Sequence, residues 1–260
     1  MMNARAFAAL GLAAVLAGAA VAAPEPPDDP SLAGPTPTAL TGYLASADID
    51  GARIIGPPPA PDTPRGRGDR AFYNEARSLA DSPRWKEAQR DNDLWNGGAL
   101  TRYACALGVR LDATATPVIH RLLARVELDV RTVSGPAKHL YNRTRPLIGD
   151  DLPICVPRQD WMKTNASYPS GHAMTGWAWS LVLTELAPAK ANGLLAAGRD
   201  VGDSRPICGV HFRTDVEAGR TLAAAMVARL HGEPAFLRDM AQAKAELAAA
   251  SAAPAGCPVS

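Results

Sequence analysis

The chain has almost no excess charge of either sign. Its 27 lysines and arginines stand against 26 aspartates and glutamates, a formal +1 at pH 7. Nucleic-acid binding by general electrostatics needs a basic surplus, so this balance argues against it and makes any anion selectivity local. Cysteine is scarce, with four residues and no C-x-x-C pair, which argues against a zinc site. Period-2 alternation and runs rich in Val, Ile and Thr are nearly absent, and the predicted fold class is therefore all-α. No repeat of 20–50 residues is evident. No carboxylate cluster of metal-site type occurs. Past the N-terminal leader, no uncharged apolar run is long enough to span a bilayer.

What is present begins with that leader. Arg5 supplies a positive start, Ala6 to Ala20 is a nearly unbroken apolar run, and Ala20-Val21-Ala22 is a small-x-small cleavage site. Residues 1–22 thus read as a secretory signal, cut after Ala22, and the expected mature protein is soluble and exported to the periplasm or medium. Residues 23–65 form a Pro-rich arm, with Pro57-Pro58-Pro59 favouring extended backbone and a short helix allowed near Thr38 to Ala45. Residues 66–252 are expected to be one helical domain and 253–260 a tail. Helical spacing starts near Asp69. Further helices are predicted at Pro83–Asn92, at Asp93–Leu107 with a break at Gly97-Gly98, and at Pro117 to about Val133, resuming over Ala137–Arg143. Others follow at Ala173–Leu186, Ala189–Ser204, Asp215–His231 and Pro234–Ala252. In an exported chain the even cysteine count suggests disulfides, with three pairings open. Cys155 with Cys208 is favoured because both flank motif loops that must meet, which leaves Cys105 for Cys257.

Three clusters carry chemistry. The stretch Tyr168-Pro169-Ser170-Gly171-His172 runs into an apolar helix. The first N–H groups of a helix lack partners and carry the positive end of its dipole, so Ser170, Gly171 and His172 sit where anions bind. Lys138 and Arg145 lie seven residues apart, two helical turns, so both can share a face, with Pro146 ending the element. An Arg fork matches phosphate oxygens, and a Lys adds a point charge. Finally, Ser204-Arg205 is followed by His211 and Asp215, four apart. A carboxylate on one imidazole nitrogen would leave the other as a lone pair. Each cluster alone fits a bland reading, a solvated face, a helix cap or a structural His–Asp pair. Together they supply three cations, an anion-binding helix start and two histidines. His120, His139 and His231 read as surface or core residues. The N-x-S/T patterns at Asn142 and Asn165 lie inside these motifs and read as coincidences.

The order of the motifs resembles the tripartite phosphatase signature shared by type 2 phosphatidic acid phosphatases, bacterial acid phosphatases and vanadium haloperoxidases. The closer resemblance is to class A bacterial non-specific acid phosphatases. It is carried by Lys138-x-x-Tyr141-x-Arg143-x-Arg145-Pro146, by Ser167-Tyr168-Pro169-Ser170-Gly171-His172, and by Ser204-Arg205-x-x-Cys208-Gly209-Val210-His211-x-x-x-Asp215-Val216-x-Ala218-Gly219-Arg220. It extends over roughly residues 57–250. Ala166 and Ala173 stand where the group usually has Gly and Thr, and the stretch Trp85 to Trp95 departs from typical members.

This resemblance implies a helical bundle and a metal-independent phosphatase with no cofactor, acting on phosphomonoesters such as nucleotides or sugar phosphates. Phosphate or vanadate would be the active-site ligand. By the same resemblance His211 is the nucleophile, Asp215 orients it, and His172 is the general acid and then base. Lys138, Arg145, Ser170, Gly171 and Arg205 hold the phosphoryl oxygens. Helix-rich relatives often form homo-oligomers, and neither nucleic acid nor stable membrane insertion is expected. The competing readings are a vanadate-dependent haloperoxidase, a soluble periplasmic lipid phosphatase and a non-catalytic anion-binding protein.

Overall fold

The computed structural model describes residues 40–252 and Cys257. The expected signal segment, the arm through residue 39 and the tail apart from Cys257 lie outside the described residues. The order of helices is α1 (Gly51–Ile55), α2 (Pro64–Ala76), α3 (Pro83–Arg90), α4 (Ala99–Leu107), α5 (Pro117–Tyr141), α6 (Trp161–Thr164), α7 (Gly171–Leu186), α8 (Ala191–Cys208), α9 (Arg213–Leu230) and α10 (Pro234–Ala249). Among the described residues there is no strand, only an isolated bridge between Val109 and Ala252. The fold is all-α, as the missing alternation implied.

Helix α7 is the axis of the molecule. It is buried over most of its surface, from Gly171 and His172 through Trp179 to Leu186, with only the stripe of Trp177, Leu181, Thr184 and Glu185 reaching solvent, the pattern of a helix enclosed by others. Helices α5, α8 and α9 pack around it. Trp179 lies at the centre, where its indole N–H donates to the Leu123 carbonyl of α5 at 3.0 Å and its ring meets Trp95 and Tyr103 edge-on. A Cβ at Gly198 of α8 would lie 1.8 Å from Ser180 Oγ, so glycine there is what lets the two helices close.

Several elements differ from the sequence expectation. Helix α5 is continuous through Pro136 rather than broken after Val133. An interior proline costs about 3 kcal/mol, but Val126, Val130, Val133 and Ala137 keep one buried face, and each large apolar side chain buried contributes about 1.5–3 kcal/mol. The helix then stops at Tyr141, with Asn142 in the left-handed region at φ +38°. Lys138 and Arg145 therefore do not share a helical face. Arg145 lies in the following loop, where the proline after it disfavours helical backbone. Residues 91–98 form a loop rather than helix, and α4 begins only at Ala99. Helix α8 runs on to Cys208, which places Ser204 and Arg205 in its last turns. Gly209 caps it at φ +88°, and buried Arg77 donates to the terminal carbonyls of Pro206 and Ile207 at 2.8 and 2.6 Å.

The arm lies on this body. No helix forms over 40–45, and a short one forms instead at α1. The N–H groups of Tyr43 and Leu44 donate to Asp129 Oδ1 of α5 at 2.7 and 2.8 Å. Both favoured disulfides are present, Cys155–Cys208 and Cys105–Cys257.

Candidate active site

The three motifs converge at the start of α7. Ser170 is the N-cap, its hydroxyl accepting from Ala173 N–H at 3.4 Å, and Gly171 and His172 form the first turn. The Ser170 N–H donates to the Asp215 carbonyl at 3.0 Å. Helix α9 can approach this closely because residue 219 is glycine. A Cβ there would lie 2.6 Å from the Ser170 carbonyl.

His211 stands just before α9 and is almost fully buried. Its Nε2 faces Arg145 Nη1 at 3.2 Å, and its Nδ1 lies 2.8 Å from the Ser167 carbonyl. A carbonyl only accepts and a guanidinium only donates. The proton is therefore on Nδ1 and the lone pair on Nε2. Burial holds this imidazole well below the ordinary histidine range, and the charges of Arg145, Arg205 and Lys138, then His172, push the same way.

Asp215 is not the main partner of Nδ1, contrary to the sequence expectation. Its Oδ2 is 3.5 Å from that nitrogen, while the Ser167 carbonyl is 0.7 Å nearer (3.5 against 2.8 Å). Oδ2 accepts instead from the Ser167 hydroxyl at 2.5 Å and the Phe212 N–H at 2.7 Å. Oδ1 accepts from Arg143 Nη1 at 2.6 Å. Arg143 also donates to buried Asp69 at 2.8 Å, and Asp69 accepts from both the N–H and the hydroxyl of Thr214. Burial raises the Asp215 carboxyl, and Arg143 is the largest influence pulling it back down. Asp215 thus braces the start of α9 and the serine that holds His211.

The cations are each held by main-chain or amide oxygens. Lys138 Nζ donates to the Ala166 carbonyl at 2.7 Å. Arg145 donates to the Asn165 carbonyl at 2.9 Å and to its side-chain oxygen at 2.6 Å. Arg205 Nη1 donates to Asn92 Oδ1 at 3.1 Å, and His172 Nε2 lies 3.0 Å from the Asn92 carbonyl. All eight residues singled out in the sequence come together in this region.

Sequence reasoning gave no role to Asp69, Asn92, Arg143, Asn165 or Ser167. Arg143 and Ser167 stand inside the motifs, so their proximity was a usable signal. Asp69 and Asn92 carry none, because their partners lie far along the chain. Among the described residues no group of three His, Cys, Asp or Glu side chains is placed to hold a metal ion, and no helix is long and apolar enough to cross a membrane.

A buried imidazole lone pair thus lies beside cations at the start of a helix, an arrangement suited to phosphoryl transfer. The chain belongs to the PAP2 superfamily, whose profile matches residues 125–233. Within that superfamily it groups with the bacterial non-specific acid phosphatases of class A, and it is an acid phosphatase. An acid phosphatase of Zymomonas mobilis is 39% identical over 74% of this chain and 74% of its own length. A non-specific acid phosphatase of Providencia stuartii is 36% identical, covering 79% and 84%, and one of Salmonella typhimurium is 35% identical, covering 74% and 77%.

Proposed function

We propose that the chain is an exported acid phosphatase of broad scope that hydrolyses phosphate monoesters through a phosphohistidine on His211, without a metal ion. The observation that carries this reading is the state of His211: buried, with Nδ1–H bonded to the Ser167 carbonyl and the Nε2 lone pair turned toward Arg145. A neutral imidazole held in one tautomer is a prepared nucleophile.

In the first step Nε2 attacks phosphorus in line. The P–N bond forms as the ester P–O bond breaks, and His172 gives its proton to the departing alkoxide. In the second step His172 takes a proton from water, the hydroxide attacks phosphorus, the P–N bond breaks, and phosphate leaves. Lys138, Arg145 and Arg205, with the Ser170 hydroxyl and the Gly171 N–H, balance the charge on the three equatorial oxygens. Three fixed cations and a helix start would supply the charge that metal ions supply elsewhere. The apolar run and small-x-small site at residues 6–22 support export. The names of the relatives support phosphomonoester substrates.

The test is hydrolysis of an aryl phosphate across a pH series with excess chelator, beside His211→Ala. Activity that survives chelator and vanishes in the variant is expected. Activity lost to chelator, or kept in the variant, overturns the mechanism. Quenching in alkali or detergent, to trap a phosphoprotein that is acid-labile and base-stable, would identify the covalent intermediate.

A further inference from the structure

The loop between α3 and α4 reaches the site through one residue that none of the three motifs contains. Asn92 meets two of the groups assigned above. Its main-chain carbonyl lies 3.0 Å from His172 Nε2, and its side-chain oxygen accepts from Arg205 Nη1 at 3.1 Å. We propose that Asn92 is a positioning residue of the phosphatase site, setting the tautomer of His172 with its main chain and the orientation of Arg205 with its side chain. This rests on the reading of the site given above.

The loop is built to hold that residue still. On one side, buried Asp91 accepts from Arg102 Nε and Nη2 at 2.7 and 3.0 Å and lies 2.5 Å from the hydroxyl of Ser204, the neighbour of Arg205. On the other, Asp93 Oδ1 accepts the N–H groups of Trp95 and Asn96 at 2.8 and 2.9 Å, closing a tight turn. The Trp95 indole then donates to buried Glu127 at 2.7 Å and packs on Trp179 at 4.8 Å. A Cβ at Gly98 would lie 1.7 Å from the Asp93 carbonyl, so the return of the loop requires glycine. Asn92 is thus a half-buried residue held between buried Asp91 and half-buried Asp93.

The chemistry follows from which atoms accept. A carbonyl can only accept, so Nε2 of His172 carries a proton and Nδ1 is the nitrogen that exchanges one with the substrate. A carbonyl acceptor also favours the imidazolium that a general acid needs. The side-chain oxygen fixes one arm of the Arg205 fork, so less freedom is lost when a phosphoryl group binds.

Asn92→Ala removes the side-chain bond and keeps the main chain. Expected are a KM for aryl phosphate and an inhibition constant for inorganic phosphate both raised about fivefold, the net worth of one typical intramolecular hydrogen bond, with kcat nearly unchanged. Asn92→Asp sets a carboxylate against Arg205 in competition with phosphate, so both constants should rise further and increase with pH as it ionises. Asp91→Asn loosens the anchor. It should lower kcat and move the basic limb of the pH profile to lower pH, because His172 loses its acceptor. A role in folding alone would lower the unfolding temperature without splitting KM from kcat or moving a limb. Wild-type constants and limbs in all three variants overturn the proposal. Titration of inorganic phosphate into His211→Ala, with and without Asn92→Ala, reads the Arg205 contact without turnover, so failure of the phosphohistidine mechanism is distinguishable from failure of this assignment.

Discussion

In the proposed mechanism each cation near His211 does two things, and both favour turnover in acid. It draws the phosphoryl group in, and it holds the imidazole unprotonated. The acidic limb belonging to His211 should therefore lie below pH 6.5, the ordinary value, and the enzyme should keep a neutral nucleophile in acid. Replacing Lys138 by Met removes one of these charges. Expected are a fall in kcat/KM of roughly 10–100-fold, the worth of one charge-assisted contact, and a shift of the acidic limb to higher pH. A pH–rate series on wild type and Lys138→Met measures both. An unmoved limb would mean that burial alone sets the imidazole.

At the scale of elements, the start of α9 is held by a buried chain of charges, Asp69 to Arg143 to Asp215. Removing the central cation leaves two carboxylates buried without their counter-charge. Arg143→Ala should cost about 3–5 kcal/mol of stability, the usual penalty for breaking a buried pair. It should also reduce turnover, since Asp215 holds the Ser167 hydroxyl and the Ser167 carbonyl holds His211. Arg143→Lys, with the charge but no fork, should recover only part of each. Urea unfolding and kcat measured on the same samples decide whether the two losses travel together. The packing of α8 on α7 gives a second test. Gly198→Ala puts a methyl group against Ser180, and overpacking of this kind costs about 1–3 kcal/mol.

For the whole molecule, two devices tie distant segments to the bundle. The disulfides close loops of 53 and 152 residues, worth about 4 and 5 kcal/mol in the chain-entropy model. Reduction with alkylation should therefore lower the unfolding temperature markedly, and Cys105→Ser with Cys257→Ser should lower it alone. The arm is tied through Asp129, whose carboxyl burial pushes up to about 7, opposed by the N–H groups of Leu44 and Tyr43. A carboxyl raised in the folded state keeps its proton where the unfolded chain has lost it. Stability from this group should thus fall as pH rises from about 4, the unfolded value, through 7. Asp129→Asn keeps the acceptor oxygen and removes the titration. Its urea midpoint relative to wild type should climb over that window, and a constant difference would count against the raised carboxyl.

Much was legible in the residues alone. The missing alternation, the apolar spacing of α5, α9 and α10, and the cap before α7 are local properties, set by neighbours three or four positions away, and they determined the fold class. The eight residues proposed for the site could be picked out because they fall in three short stretches whose types suit one chemistry. What the sequence could not decide were relations across long separations. Asp69 meets Thr214 from 145 residues away, and His172 meets the Asn92 carbonyl from 80. Nor could it decide where helices continue through Pro136 and Pro206, because burial of the flanking face outweighs the local cost of proline. The partner of His211 Nδ1 depended on a main-chain carbonyl, a group every residue carries. Only the packing of α7 against α9 selects the one belonging to Ser167. Residue types and their spacing determined which chemistry this chain can perform. The tertiary structure decided which atoms hold the catalytic groups in place, because those contacts exist only once the helices have closed around α7.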